Sequence, residues 1–320
     1  MRQILLIIGL LLAWSVGATA QVSNLPQDLR LTLEQIGSRF QSDLATHIPA
    51  TLRAFQPVLK AAPKEGIIVT RDEAYGPASK QVLDVYQPAN AKSAPVLIFL
   101  HGGAHVFGDK NGYGEIYGNV GYWFARNGVL TLNATYRLAP EAMWPSGAED
   151  IDAMIKWARD NVARFGGDPT KITLMGHSAG ATHVASYIFD KSLQPVTGPG
   201  LVAAVLISGR YRLNFEPGEP NAKNAQAYFG TDGTKYLTRS PLTHVPDSPK
   251  IPVLIGIAEF ENPTIDKLGA ELFLAICQRD GNCPRFIRLL GHNHMSEIAA
   301  FNTPDEQLGR EILDFIRAIH

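Results

Sequence analysis

Ser178 lies in Gly176-His177-Ser178-Ala179-Gly180, a G-x-S-x-G run. Ile172, Thr173 and Leu174 before it read as a short buried strand, and the small, apolar-periodic stretch Ala181–Phe189 reads as a helix. Strand, sharp turn and helix form the context in which such a serine is a nucleophile. The turn is expected to strain the backbone at Ser178, so only glycine-sized neighbours fit at 176 and 180. The hydroxyl then projects at the head of a helix, where the N-terminal N–H groups favour developing negative charge. A glycine-serine turn in an ordinary parallel-sheet protein would also contain these five residues, so the reading depends on what accompanies them.

Three accompanying features matter. His101-Gly102-Gly103-Ala104 follows the apolar run Val96–Leu100. Small consecutive residues let a backbone approach substrate closely, and the N–H groups of Gly103 and Ala104, with that of Ala179, are candidate donors to an oxyanion. His101 reads as a hydrogen-bonder that holds this loop, and His105 as a residue lining the pocket. The second feature is Gly291-His292-Asn293-His294-Met295, between the last strand and the C-terminal helix. A histidine there can take the serine proton. His294 is favoured, with His292 as the alternative. A metal site built on this His-x-His pair lacks an evident third ligand. The third feature is Ala258-Glu259-Phe260-Glu261-Asn262-Pro263, after the strand Val253–Ala258. Either glutamate could orient a histidine, and alternation along an extended chain puts both on one side.

The elements that must position these groups alternate along the chain. Leu25–Leu59 has a helical pattern, with Leu29, Leu33, Ile36, Phe40 and Leu44 on one face. Gly66–Arg71 and Gln81–Tyr86 read as an antiparallel opening pair. Val96–Leu100, Val129–Asn133, Leu201–Ser208, Val253–Ala258 and Phe286–Leu290 read as strands of a sheet with helices between them. Continuous apolar strands of this kind are buried on both faces, which implies a mostly parallel α/β sheet. Ligands in such sheets sit outside the carboxyl ends of the strands, where all three features fall. Arg210–Lys250 breaks the alternation and reads as an insertion over the strand ends, its aromatics packing the insertion itself. A capping box is expected at Thr303-Pro304-Asp305-Glu306.

The chain has 320 residues, 45% of them hydrophobic, enough for one large core. Its 29 basic and 30 acidic residues nearly cancel, and no basic stripe or charged tail marks a nucleic-acid partner. Arg2, the apolar run Ile4–Val16 and Ala18-Thr19-Ala20 form a signal-peptide pattern. The run is short for a membrane span, which needs about 20 residues. The expectation is export to the periplasm or medium, with no stable span after cleavage; an uncleaved anchor is the alternative. Residues 1–20 are thus the signal peptide, 21–65 an N-terminal helical segment, and 66–320 one α/β domain with its insertion at 210–250. Cys277 and Cys283 flank the turn Arg279-Asp280-Gly281-Asn282, a spacing that can bridge in an oxidising compartment.

Together these pieces resemble the α/β-hydrolase esterases, near the hormone-sensitive-lipase-like carboxylesterases and their kynurenine formamidase relatives. His101–Ala104 stands where that group has H-G-G-G. Tyr136-Arg137-Leu138-Ala139-Pro140-Glu141, with Trp144-Pro145 and Glu149-Asp150, matches its Y-R-L-A-P-E…P…D block. Tyr228-Phe229-Gly230 and Ser240-Pro241-Leu242 resemble the Y-F-G…S-P-L of some members. The likeness covers residues 81–320 and departs from the pattern at Ala104 and at the triad acid, which falls on Glu261 where relatives usually carry Asp. Asp150 and Asp152 then read as helix-start acids. The resemblance implies a serine carboxylesterase with Ser178 as nucleophile, His294 as base and Glu261 as orienting acid. It implies a small-molecule ester substrate and no metal or organic cofactor. An arylformamidase-like amidase on the same triad, and a non-catalytic binding protein on the same fold, are the alternatives; a metal-dependent deacetylase using His292 and His294 is a third.

Overall fold

The computed structural model describes residues 21–215 and 219–319. The expected signal peptide, Met1–Ala20, lies outside them. Two helices open the described chain, α1 (Gln27–Ile36) and α2 (Leu44–Lys60), followed by strands β1 (Ile68–Ala74), β2 (Val82–Gln87) and β3 (Ala94–Leu100). Next come α3 (Ile116–Arg126), β4 (Leu130–Ala134), α4 (Ser146–Asn161), β5 (Gly167–His177), α5 (Ala179–Phe189) and β6 (Ala203–Ile207). Three short helices, α6 (Ala222–Phe229), α7 (Tyr236–Arg239) and α8 (Pro241–His244), precede β7 (Val253–Phe260). The chain ends with α9 (Ile265–Asp280), β8 (Arg285–Asn293), α10 (Ser296–Ala299) and α11 (Gln307–Ile319).

The eight strands form one sheet in the order β1-β2-β4-β3-β5-β6-β7-β8. β2 runs antiparallel to β1 and β4, and the other pairs are parallel. Side chains alternate across the sheet, so each central strand feeds two cores. Val96, Ile98 and Leu100 of β3 pack with Ile151, Met154, Val184, Ile188, Leu268 and Leu272 of α4, α5 and α9. Leu97 and Phe99 point the other way, toward Leu29, Phe55, Val120, Phe124, Ile312 and Ile316 of α1, α2, α3 and α11. At about 25 cal/mol per Å² of apolar surface, these fully buried strands are the main stabilising layer. They also hold all the strand ends at one rigid edge.

The N-terminal segment differs from the single helical face read from its pattern. α1 ends at Gly37, a 3₁₀ stretch covers Gly37–Ser42, and α2 restarts at Leu44. Asp43 accepts the Thr46 N–H at 3.1 Å, satisfying one of the free donors of a new helix start. Leu44 consequently sits only half-buried, outside the apolar face. The capping box expected at Thr303 also differs. α11 begins at Gln307, whose N–H is bonded by Asp305 Oδ1, while Glu306 is turned toward Trp123 Nε1. Its partner for the box is thereby spent.

Between β6 and β7, Leu213, Ala225, Tyr228 and Phe229 pack with Ala139 in a small separate cluster beside the strand ends. Cys277, in the last turn of α9, and Cys283 come together across the turn before β8, with Cα atoms 4.2 Å apart. No helix among the described residues is long and apolar enough to cross a membrane.

Candidate active site

The sharpest bend in the sheet edge is at Ser178. It has φ 55° and ψ −120°, between the last residue of β5 and the first of α5. Its N–H is held by the Ile207 carbonyl of the neighbouring strand at 2.8 Å. Sterics explain the flanking glycines. A Cβ on Gly176 would overlap the backbone of Gly180 and Ala181, and one on Gly180 would overlap the Leu100 carbonyl and lie 2.6 Å from the His101 oxygen. The strained φ is thus enforced by packing on both sides.

His294 Nε2 lies 3.0 Å from Ser178 Oγ, and His294 Nδ1 lies 2.7 Å from Glu261 Oε2. Both residues are almost wholly buried, at 2% and 1% exposure. Glu261 accepts from three directions: the Ser208 hydroxyl, the Ala258 N–H at 2.7 Å and the Asn262 N–H at 3.3 Å. A buried carboxylate needs such a set of donors to offset its lost hydration.

The loop after β3 lies against the elbow. Gly103 has φ 134°, and a Cβ there would overlap the Phe107 carbonyl, so glycine is required. Ala104 (φ 47°) and His105 (φ 70°) continue the left-handed run. The loop is fixed from behind: the Gly102 N–H donates to Tyr117 Oη at 3.1 Å and Tyr136 Oη donates to the His101 carbonyl at 2.8 Å. The His101 ring stacks on Tyr136 at 4.3 Å, and its Nδ1 is 2.6 Å from the Gly102 carbonyl. Burial pushes His101 down to about 4, which keeps it neutral. Ala179 is the first residue of α5, so its N–H has no carbonyl four residues back to bind.

A cavity of about 460 Å³, its open mouth included, lies over Ser178. Its walls include Ala104, His105, Thr182, Arg210, Asn262 and Ile265. His105 stacks on Tyr228 at 5.0 Å and places Nδ1 3.2 Å from His183 Nε2. Burial, aided by Arg210, pushes His105 down to about 3, so it faces the cavity as a neutral ring.

Part of the chain matches known proteins. A family model described as BD-FAE matches residues 83–189. Esterase LipC of Mycobacterium tuberculosis is 39% identical over 181 residues, 53% of this chain and 43% of that protein. Carboxylesterase NlhH of the same organism is 30% identical over 121 residues, 38% of this chain and 36% of that protein. The chain spans less than half the length of the curated relatives it matches. Among solved structures, an arylesterase superposes with a TM-score of 0.66 at 21% identity, covering 92% of this chain and 99% of that one. An esterase from Pyrobaculum calidifontis gives 0.66 and 21%, covering 92% and 97%. The fold is the α/β-hydrolase fold.

Within this fold the competing candidates are engaged elsewhere. Glu259 Oε2 accepts the Gly291 N–H at 2.7 Å and Oε1 meets Arg288 at 3.3 Å. His292 is held by Asp305 at 2.9 Å and the Ser296 hydroxyl at 3.1 Å, away from Ser178. Asp150 is not a helix-start acid. It is the fifth residue of α4, fully buried, and accepts the Arg137 N–H, Arg137 Nε and Gln81 Nε2 at 2.7–2.8 Å. It anchors the loop after β4. Asp152, likewise inside α4, accepts the Tyr187 hydroxyl at 3.2 Å.

The sequence marks Ser208 only as the end of the apolar run Leu201–Ser208, a strand end. His177 and Glu297 give no local signal of any kind. Their carboxylate and ring atoms, with those of His294, lie within 4.8 Å of one another. Both His294 nitrogens are committed to Glu261 and Ser178, so the trio does not form a metal centre.

Proposed function

We propose that this α/β-hydrolase is an exported serine carboxylesterase. What carries the reading is one chain of contacts, Ser178 Oγ to His294 Nε2 at 3.0 Å and His294 Nδ1 to Glu261 at 2.7 Å. A serine hydroxyl is a weak nucleophile until a base removes its proton, and the base works best when a third group fixes its tautomer. Here Glu261 holds the proton on Nδ1 and leaves Nε2 free to accept. Ser178 attacks the ester carbonyl as His294 takes its proton. The oxyanion is bound by the N–H groups of Gly103, Ala104 and Ala179. His294 then protonates the leaving alcohol, and the acyl group stays on Ser178. A water activated by His294 attacks the acyl-enzyme and releases the acid.

The similarity to LipC and NlhH, both named as esterases, supports the reaction class. The apolar run Ile4–Val16 supports export, and the approach of Cys277 to Cys283 supports a bridge formed in an oxidising compartment.

A panel of aryl and alkyl esters of graded acyl length, with an aryl formamide included, tests the reading. Ester turnover that falls by at least about 10³ in Ser178→Ala is the expected result. Turnover of the formamide alone would assign an amidase. Activity lost to a chelator and restored by zinc would replace the serine mechanism.

A further inference from the structure

Behind the triad lies a second acid and a second imidazole that the mechanism above does not use. Glu297, on α10, is 1% exposed, and neither carboxyl oxygen receives a hydrogen bond among the described residues. Its nearest polar neighbour on β5 is His177, with Nε2 3.4 Å from Oε1. That same Nε2 lies 2.9 Å from the His294 carbonyl, so the N–H of His177 donates to the base's own backbone, with Glu297 beside it. Ser208, whose hydroxyl donates to Glu261, also borders Glu297.

Two buried carboxyls therefore share one corner, and their surroundings differ. Glu261 is met by three N–H or O–H donors besides His294, whereas Glu297 faces no cation and has beside it only the Ser208 hydroxyl, which bonds to Glu261. A second anion in that position would be unhydrated and adjacent to the first. The groups around it are Glu261 after β7, Ser208 and Tyr211 after β6, His177 at the end of β5 and His294 after β8; the Tyr211 hydroxyl accepts the Gly209 N–H at 3.2 Å. On the far side of α10, Asp305 and Glu306 border a small cavity with Glu297 but are engaged by His292, Trp123 and Arg310. Burial and the charge of Glu261 both favour the protonated form of Glu297, and burial with nearby His294 keeps His177 neutral.

We propose that Glu297, as an undissociated acid coupled to His177, is a positioning residue of this site. The couple holds the backbone of His294 from behind and leaves Glu261 as the one negative charge facing its imidazole. A carboxylate at 297 would add a second charge and stabilise His294 in its cationic, inactive form. A neutral carboxyl avoids this while staying 3.4 Å from His177 Nε2. This inference rests on His294 acting as the base of an ester hydrolase.

The test pairs spectroscopy with kinetics. Infrared difference spectra of the full chain, wild type minus Glu297→Gln at neutral pH, are expected to contain the C=O stretch of an undissociated carboxyl. That readout does not depend on turnover, so it decides the state of Glu297 even if no ester is hydrolysed, a result that would sink the functional reading alone. On an activated ester, Glu297→Gln is expected to keep kcat within about threefold and the acid limb of the pH profile within about 0.3 unit. Glu297→Leu, which puts an apolar side chain beside His177 while the His294 carbonyl remains its acceptor, is expected to lower kcat about tenfold at unchanged KM, with Gln as the conservative rescue. Absence of the carboxyl band overturns the proposal. So does an acid limb displaced downward by a unit or more in Glu297→Gln, or wild-type kcat in Glu297→Leu.

Discussion

Glu261 Oε2 lies 2.7 Å from His294 Nδ1, while Glu259, two residues earlier, is bound to the backbone N–H of Gly291. The difference arises where β7 ends. Glu259 is still within the strand, which ends at Phe260, and its side chain is used by the neighbouring strand β8. Glu261 is past the last paired residue, where the chain turns and its own Asn262 N–H can cap the carboxylate. Two chemically equal residues thus acquire separate functions from one residue of strand length.

This relationship predicts unequal mutants. Glu261→Gln removes the charge that stabilises the imidazolium and weakens the tautomer preference, so kcat should fall by about 10³–10⁴ with the fold intact. Glu259→Gln should cost about tenfold or less. Both are measured on one activated ester, with circular dichroism to confirm equal folding. A larger loss for Glu259→Gln would reverse the assignment.

The elbow glycines make a steric prediction. In Gly180→Ala the new methyl meets the Leu100 and His101 carbonyls, which are backbone atoms that cannot rotate away. The loop carrying Gly103 and Ala104 must then shift from Ser178. Misplacing even one oxyanion donor costs about 10²–10³ in kcat. The variant should therefore lose at least that much activity and also unfold at lower denaturant. Wild-type activity in a stably folded Gly180→Ala protein would show that the loop does not need this close approach.

Buried imidazoles predict acid lability. Burial pushes His101 down to about 4 and His105 to about 3, and holds His177 and His183 well below their ordinary range. Each binds a proton in the unfolded chain below about pH 6.5 but not in the native one, so native stability is full above that value. It is lost as pH falls from about 6.5 toward 4. Glu297 acts in the opposite sense, because its raised pKa lets the native state keep a proton that the unfolded chain releases. Four imidazoles outweigh the two carboxyls raised by burial, Glu297 and Asp150, so stability should fall as pH drops through about 5.5. Denaturant unfolding at a series of pH values measures it. A flat profile between pH 6.5 and 5 would contradict the buried neutral rings.

How much of this was legible in the sequence depends on the range over which each feature is determined. The elbow is local: Gly176, Ser178 and Gly180 are forced by contacts within one turn and the strand beside it, so their types record the geometry. The strands Val96–Leu100 and Val253–Ala258 are legible because both faces are buried and every position is apolar. The break between α1 and α2 is less so, since Leu29, Leu33, Ile36 and Phe40 keep a helical period across Gly37 and only Asp43 marks the restart. Alternation could not separate Glu259 from Glu261 because it stops applying at the strand end. Asp150 reads as a helix-start acid, yet Arg137 and Gln81 bond it from 13 and 69 residues away. The His177–Glu297 couple joins β5 to α10 and exists only once the sheet is assembled.

A covalent trap tests most directly whether Ser178 is the nucleophile activated by His294. A fluorophosphonate should add one equivalent to the protein, with the adduct on the peptide containing Ser178. Ser178→Ala should take up none, and His294→Gln should react at least about 10³-fold more slowly. Ester turnover that persists in Ser178→Ala, or a single adduct on a different residue, would contradict it.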